Sequence, residues 1–282
     1  MSCDTVVLCT KTLRTLSGFN QHGIQLMKKR DLIYGVMLVF LVTVTHHVEG
    51  QDSLPEPSAE STYTYNALKI LSGSTQFIEA AAAFSTKGNF GGDLILGNGQ
   101  IVEHGSSFTV VFSRPSKLYM QLNSREGYEA KIFFDGEMIT VAAFYDGRHV
   151  FDTTPQPGDV NESLDFMVGL TGGPRELNFF LTQQMTQSLN RVRSGVYVGT
   201  SMIGGVSCDH LAVRTDTRDG QVWIEQGDEP MPWRILITHR EEPAQPRFWA
   251  QFDEWDFSPE VSESTFKYRP PEGAIKFRYF NE

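Results

Sequence analysis

A cysteine and a histidine two positions apart are the first residues suited to chemistry. Cys208 and His210, in the segment SCDHL, fall on the same face of a predicted strand, because side chains alternate along a strand. A zinc site needs three or four ligands, and the chain holds no second Cys/His cluster. A catalytic pair is also disfavoured, because adjacent same-face side chains point in parallel. We interpret the two as a packed thiol beside a hydrogen-bonded histidine, and we predict no metal or other cofactor.

The acidic segment FDEWDF is the second candidate. Asp253, Glu254 and Asp256 stand among tryptophan and phenylalanine, a composition that suits sugar stacking with acid catalysis. The carboxylates of a glycosidase face each other across the substrate, whereas these three lie within four residues of one strand end. We therefore interpret the segment as the aromatic-packed end of a strand.

Common catalytic and phosphate-binding motifs do not occur in the sequence. Gly-x-Ser-x-Gly and His-Glu-x-x-His are absent, and GNGQIV lacks the third glycine of a dinucleotide loop. A two-residue turn at Asp219-Gly220 would place Arg214 opposite Glu225, and we interpret that pair as structural. The sequence therefore predicts a protein that is not an enzyme.

The elements that position these residues are mostly strands. Residues 131–153, KIFFDGEMITVAAFYDGRHVFDT, hold two Asp-Gly pairs between runs rich in β-branched and aromatic residues, a strong hairpin signal. Two-residue turns at both pairs predict a three-stranded meander. Its predicted cross-strand partners are Ile132 with Ile139, Ala130 with Val141, and Ala143 with Val150.

Both faces of the meander carry apolar side chains. One face includes Ile132, Ile139, Val141 and Val150. The opposite face includes Phe133, Met138, Phe144 and Phe151. An antiparallel sheet with one face in water alternates more sharply between apolar and polar residues. We therefore expect apolar cover on both sides of the meander.

The rest of the chain predicts an α+β domain over residues 62–282, built on one long curved antiparallel sheet. Helical spacing covers Asn66–Phe84 and patches within residues 160–185. A hairpin around Asn98-Gly99 places Leu96 opposite Ile101 on the buried side. A strongly twisted sheet of about ten strands tends to curl, so we expect the helices to lie in its concave side.

The N-terminus has the pattern of a secretory signal peptide. Basic Lys28, Lys29 and Arg30 precede the apolar run 32–44, which at about 13 residues is shorter than the roughly 20 that span a bilayer. We expect a leader over residues 1–50, cleaved after Gly50, a flexible tether over 51–61, and no permanent membrane anchor. Either Met1 or Met27 serves as the start.

The mature chain is acidic and holds one thiol. The first fifty residues carry five basic and three acidic side chains, so removing their +2 takes the net charge from −10 to −12. Such a surface repels phosphate backbones, and nucleic acid is therefore a poor partner. Cys3 and Cys9 leave with the leader, so Cys208 has no internal disulfide partner and the core must hold the fold.

Several blocks of the chain resemble the LolA-like periplasmic carriers. FSRPSKLYMQL followed by FFDGEMITVAAFYDGRHVF is similar to their Phe-x-Arg-Pro strand and Asp-Gly hairpin. The blocks ALKILSGSTQFIEAAAAF, YVGTSMIGGVSCDHLAVR, QVWIEQGDEPMPWRILITHR and PPEGAIKF resemble a family of predicted periplasmic proteins within that superfamily, over nearly all of residues 62–278. The chain departs from LolA itself in its two-glycine turn, tryptophan-rich end and CDHL block. The resemblance therefore does not imply that this chain carries lipoproteins.

The resemblance implies a periplasmic protein of a Gram-negative type envelope, with an open half-barrel of about ten to eleven strands. Helices would cover its concave face around a hydrophobic cavity. In relatives that cavity takes up acyl chains, which implies a non-catalytic carrier of a lipid or other hydrophobic ligand. Other relatives are sensors that bind envelope proteins, so an interaction module with a packed interior is the alternative. The expected ligand-binding residues are Ile132, Ile139, Val141, Val150, Phe166, Met167, Leu170 and Phe180.

Overall fold

Twelve strands and one long helix make up most of the described structure. The computed structural model describes residues 61–145, 147–156, 158–160, 162–164 and 189–276, all within one compact unit. Helix α1 spans Ser61–Ala80. The strands are β1 (Ala83–Ile95), β2 (Ile101–Ser113), β3 (Lys117–Ser124), β4 (Glu129–Phe134), β5 (Met138–Tyr145), β6 (Arg148–Pro155), β7 (Ser194–Ile203), β8 (Val206–Arg214), β9 (Arg218–Glu225), β10 (Pro232–His239), β11 (Arg247–Asp256) and β12 (Ile275–Lys276).

All twelve strands belong to a single sheet. Their order is β12-β6-β5-β4-β3-β2-β1-β11-β10-β9-β8-β7, and β12 and β7 do not pair with each other, so the sheet is open. Neighbouring strands are antiparallel except for β12 and β6, which are parallel. The predicted α+β class with one long antiparallel sheet is confirmed, and the strand count exceeds the expected ten to eleven.

One face of the sheet, here called the inner face, carries the core. In β2 the side chains of Phe108, Val110 and Phe112 are buried, and the alternating residues are only partly covered. Three equally buried residues of β3, Leu118, Met120 and Leu122, stand directly opposite them. This continuous apolar surface confirms the alternation predicted for both strands, and its burial contributes to the stability of the fold.

Helix α1 lies against the β7 end of the inner face. Gly195 of β7 permits close packing, because a Cβ there would lie 3.4 Å from the Cβ of Ala67. At its other end, the guanidinium of Arg114 donates hydrogen bonds to the carbonyls of Ile78 and Ala81, at 3.2 and 2.9 Å. The helix therefore ends at Ala80, and the predicted extension to Phe84 is wrong.

Strand β1 includes a glycine-rich stretch, FGG, that sequence reasoning did not assign to a strand. Phe84 at its beginning is fully buried and stacks on Phe112, with ring centroids 5.2 Å apart. Gly91 accommodates the indole of Trp249, because a Cβ at this position would lie 2.9 Å from the ring. Glycine here allows the side chain of a neighbouring strand to lie across the backbone.

The β1–β2 hairpin differs from its predicted register by one residue. Leu96 accepts a turn hydrogen bond from Gly99 N and donates one to Gln100 O, and Ile95 lies opposite Ile101. A three-residue loop with Gly99 at positive φ (84°) replaces the predicted two-residue turn. Leu96 and Ile101 are exposed rather than buried, so that part of the prediction is wrong.

The first hairpin of the meander also differs from its predicted register, here by two residues. Phe134 pairs with Ile139 and Ile132 with Val141, because the turn centres on Gly136-Glu137 rather than Asp135-Gly136. The carboxylate of Asp135 accepts hydrogen bonds from the backbone N–H groups of the two residues after the glycine, at 3.1 and 2.9 Å. The second turn has the predicted register, with Ala143 opposite Val150.

The C-terminal segment covers the outer face of the meander. This segment, residues 267–276 and here called the C-terminal strap, follows a short 3-10 helix, Glu263–Phe266. The ring of Tyr268 lies 5.3 Å from that of Phe133 and 5.2 Å from that of Phe151. The strap ends as β12 beside β6. It covers Phe133 and Phe151 of the second face, whereas Phe144 of that face is exposed.

Substitution of Tyr268 by alanine tests the strap. We expect Tyr268→Ala to lower the free energy of unfolding by about 2 kcal/mol, because two aromatic contacts and their buried area are lost. Urea denaturation measures the change. Tyr268→Phe keeps both ring contacts and should stay within about 0.5 kcal/mol of the parent chain. Equal stability of all three chains would show that the strap does not hold the outer face.

Candidate functional site

The inner face of β2–β6 forms a continuous apolar wall, and its rows run across the strands. One row joins Val110, Met120, Ile132 and Val141, each opposite the next in its neighbouring strand. The rows on either side are Phe112–Leu118–Phe134–Ile139 and Phe108–Leu122–Ala130–Ala143. In these three rows, every side chain from β2 to β5 is apolar.

The structure brings the predicted ligand-binding residues of the meander together on this wall. Ile132, Ile139 and Val141 are 3, 0 and 7% exposed, respectively. Val150 is half-buried and lies at the β6 end, opposite Ala143 on one side and Ile275 on the other. The other four predicted residues lie outside the described part of the chain: Phe166, Met167, Leu170 and Phe180.

A buried carboxylate ends the central row of the wall. Asp152 of β6 lies opposite Val141 and is only 2% exposed. One carboxylate oxygen accepts a hydrogen bond from the backbone N–H of Thr153 at 2.8 Å. Sequence reasoning missed this residue, although the alternation that places Val150 on the inner face also places Asp152 there. The wall is therefore apolar along its length and acidic at one end.

Two described residues of the first helical patch are also part of the core. Val160 and Leu164 are buried in the same apolar cluster as the wall. The backbone N–H of Val160 donates to the carbonyl of Pro115 at 3.1 Å, which ties this segment to the end of β2.

A cleft lies on the face opposite to the wall, between the C-terminal strap and the meander. Its volume is about 220 Å³, and the lining includes Lys131, Phe133, His149, Tyr268 and Arg269. The ammonium group of Lys131 makes an ion pair with Glu129 at 2.8 Å. Burial raises the pKa of the Tyr268 hydroxyl above its ordinary value. This cleft is open and mixed in polarity, unlike the inner wall.

Cys208 and His210 have separate structural roles. The Cys208 thiol is buried, donates to the carbonyl of Val206 at 3.6 Å, and has its pKa raised to about 11 by burial. The His210 ring stacks on Trp223 at 4.2 Å and lies 3.0 Å from Gln221 Oε1. A thiol with so high a pKa stays protonated at neutral pH, which suits neither nucleophilic attack nor metal binding.

The acidic residues of FDEWDF also form hydrogen bonds and ion pairs within the protein. Asp253 accepts a hydrogen bond from the Asn89 amide at 3.0 Å, and Glu254 makes an ion pair with Lys87. The indole of Trp255 donates to the carbonyl of Pro232 at 3.0 Å. These contacts agree with the packed strand end that the sequence suggested.

The Arg214 pairing differs from the prediction. The turn centres on Asp216-Thr217 rather than Asp219-Gly220, so Arg214 lies opposite Asp219 instead of Glu225. The guanidinium donates two hydrogen bonds to that carboxylate, at 2.7 and 2.8 Å. Glu225 lies opposite Cys208. The pair remains structural, with a different acidic partner.

The described residues contain no group of three His, Cys, Asp or Glu side chains that could hold a metal ion. Within those ranges, no helix is both long and apolar enough to cross a membrane.

Comparison with protein families identifies the chain. The family model described as "Predicted periplasmic protein (DUF2092)" matches residues 67–278. The chain belongs to this family. The periplasmic location in the DUF2092 description agrees with the one predicted from the leader, and we describe the protein as periplasmic. No curated protein matches the sequence.

Three solved structures illustrate what this DUF2092 chain is similar to. Lipoprotein LppX from Mycobacterium tuberculosis is 12% identical, with 70% of this chain and 99% of that chain covered and a TM-score of 0.43. The MucA/MucB complex from Pseudomonas aeruginosa gives 14% identity, 72 and 61% coverage, and a TM-score of 0.39. The LolA superfamily protein NE2245 from Nitrosomonas europaea gives 9% identity, 72 and 97% coverage, and 0.33.

The buried thiol of this DUF2092 protein gives a direct test of the Cys208 environment. We expect the folded protein at pH 8 to react very slowly with a thiol reagent, because the raised pKa leaves little thiolate. Unfolding in urea should expose a thiol of ordinary reactivity. The unfolded state loses this proton near pH 9 and the folded state near pH 11, so stability should fall between these values. Cys208→Ala should remove that part of the pH dependence, and fast labelling of the folded chain would contradict the assignment.

Proposed function

We propose that this protein is a non-catalytic periplasmic carrier that binds the acyl chain of a lipid, or another hydrophobic ligand, against its inner wall. The observation that carries the proposal is the set of apolar rows across β2–β5, which include Ile132, Ile139 and Val141. An apolar wall of this kind recognises a ligand by burying CH₂ groups, each stabilised by about 0.8 kcal/mol.

The shape of the sheet supports a binding role. An open sheet does not close around its own core, so elements laid on the inner face must complete it. Helix α1 lies at the β7 end, whereas the wall lies at the opposite end, near β6. The proposal includes Phe166, Met167, Leu170 and Phe180 as ligand contacts from the helical patch.

Asp152 supports an acyl-chain ligand in one further way. A buried carboxylate at the end of an apolar row provides a polar limit to the surface on which CH₂ groups can lie. The proposed ligand therefore lies along the rows, with its apolar part between β2 and β5. We include export by the leader, with cleavage after Gly50 and a tether up to the domain, as part of the same proposal.

The alternative function is a protein-interaction or sensor module whose interior is filled by its own side chains. Complete burial of Phe134 and Ile139 favours this possibility, because a packed core gives the same low exposure. In that case the inner face would hold no ligand, and partners would bind elsewhere on the surface.

Lipid content and probe binding distinguish the two functions. Protein purified from its own envelope fraction should carry co-purified lipid, detected by native mass spectrometry and by extraction. The delipidated protein should bind a fluorescent fatty acid at one site. Absence of lipid in repeated preparations, together with no binding of the probe, would support the packed module instead.

Val150→Trp is the variant that tests the position of the site. The added indole would occupy space at the β6 end of the wall, so the affinity for the fluorescent fatty acid should fall by at least about tenfold, or 1.4 kcal/mol. Val196→Trp, the same substitution at an exposed position of β7, should leave the affinity unchanged. Thermal denaturation checks that both variants fold. Equal affinity in the two folded variants would place the ligand elsewhere.

A further inference from the structure

The β1–β2 hairpin extends beyond its neighbours in the sheet. Strand β1 pairs with β11 only as far as Gly92, and β2 pairs with β3 only from Ser106 onward. Within the described part of the chain, residues 93–95 form strand pairs only with residues 101–103, and the turn between them joins the two strands. This two-stranded extension, residues 93–103, is here called the hairpin arm.

Both faces of the hairpin arm are apolar near its tip. Leu94 lies opposite Val102, and Ile95 lies opposite Ile101. Successive pairs point to opposite sides of a ribbon, so one pair lies on each face. Leu96, Ile101 and Val102 are 38, 52 and 39% exposed, respectively. A protein groove covers one face of such a ribbon, whereas a surrounding apolar medium covers both.

Charged residues lie only at the base of the arm. No charged side chain occurs from Leu94 to Val102. At the base, Asp93 is paired with Arg247 at 3.1 Å and Glu103 with Arg125 at 2.7 Å. This base, here called the charged collar, therefore holds two cations and two anions in paired form. Its charge pattern complements zwitterionic headgroups, which also carry one positive and one negative group each.

We propose that the hairpin arm inserts its tip into the interfacial region of a zwitterionic lipid bilayer. Three residue pairs extend about 10 Å, which matches the roughly 5–10 Å to which interfacial elements enter the headgroup and acyl boundary. The outer edges of the ribbon keep unpaired backbone groups, so the arm stops at a depth that water still reaches. The aliphatic side chains of both faces enter the boundary, and the charged collar lies among the headgroups.

Vesicle flotation tests the proposal with the protein recovered from the periplasmic fraction. Vesicles of phosphatidylcholine and phosphatidylethanolamine should carry the protein upward in a density gradient. Ile101→Asp and Val102→Asp place one charge on each face of the tip, and each should lower the partition coefficient at least about tenfold. Met202→Asp, at an exposed apolar position of β7, is the matched control and should leave partitioning unchanged.

The two Asp variants, one on each face of the arm, distinguish insertion into a bilayer from binding in a protein groove. Loss of partitioning in only one of the two Asp variants would overturn the proposal, and so would failure of the parent protein to bind vesicles. Binding that requires anionic lipid and disappears in 0.5 M salt would also overturn it, because the charged collar has no net charge to attract anions. Ile101→Thr and Val102→Thr keep strand-forming side chains, and they replace any Asp variant whose thermal denaturation shows loss of folding.

Inner-face ligand binding is a separate property of the molecule. The hairpin arm variants lie outside the apolar wall, so they should bind the fluorescent fatty acid with unchanged affinity. The Val150→Trp chain should still float with the vesicles. Failure of one proposal therefore leaves a clear result for the other.

Discussion

The two-residue repeat of paired strands is the constraint on which the rest of this structure depends. Each antiparallel pairing carries the apolar side chains of one strand onto the same face as those of the next, across eleven of the twelve strands. A register error of two residues leaves this face unchanged, whereas an error of one exchanges the faces. The actual structure shows both cases. The displaced turn at Gly136-Glu137 leaves Ile132 and Val141 on the inner face. The three-residue loop before Gln100 pairs Ile101 with Ile95, so Ile101 lies on the face opposite to that of Leu96.

Local patterns in the sequence predicted most of the sheet and the inner wall. Alternation was enough to assign Phe108, Val110, Phe112 and the residues opposite them, because each strand reports its own faces. Contacts between distant segments were not predicted. Arg114 ends helix α1 across a separation of more than thirty residues, and Tyr268 packs on a meander more than a hundred residues earlier. Neither partner has a local signal, so the helix end and the cover of the second face had to come from the three-dimensional structure. Asp152 was missed for a different reason, since its position followed from alternation but a carboxylate is unexpected in a buried row.

Residues with reactive side chains are used on the outer face to join neighbouring strands. His210 stacks on Trp223, and the guanidinium of Arg234 lies 5.9 Å from that ring and 5.5 Å from the ring of Trp249. Arg234 also donates a hydrogen bond to Gln251 at 2.9 Å. These side chains form a ladder across β8–β11, in which the imidazole, the guanidinium and the two indole rings contact their neighbours. Aromatic, cationic and amide groups on adjacent strands therefore stabilise this part of the outer face by ring stacking, cation–π contacts and hydrogen bonds.

An open sheet must also limit pairing at its two edges. At one edge, β12 is only two residues long, which leaves little backbone for another strand to extend. The other edge, β7, is ten residues long and has no charged side chain, so its length offers a much larger surface. Its register shifts between Tyr197 and Gly199, and Gly199 has a positive φ of 145°. Such a bulge interrupts the regular spacing of backbone donors and acceptors, so a straight strand cannot pair along the whole edge. The two edges therefore limit further pairing by different means, one by shortness and the other by irregularity.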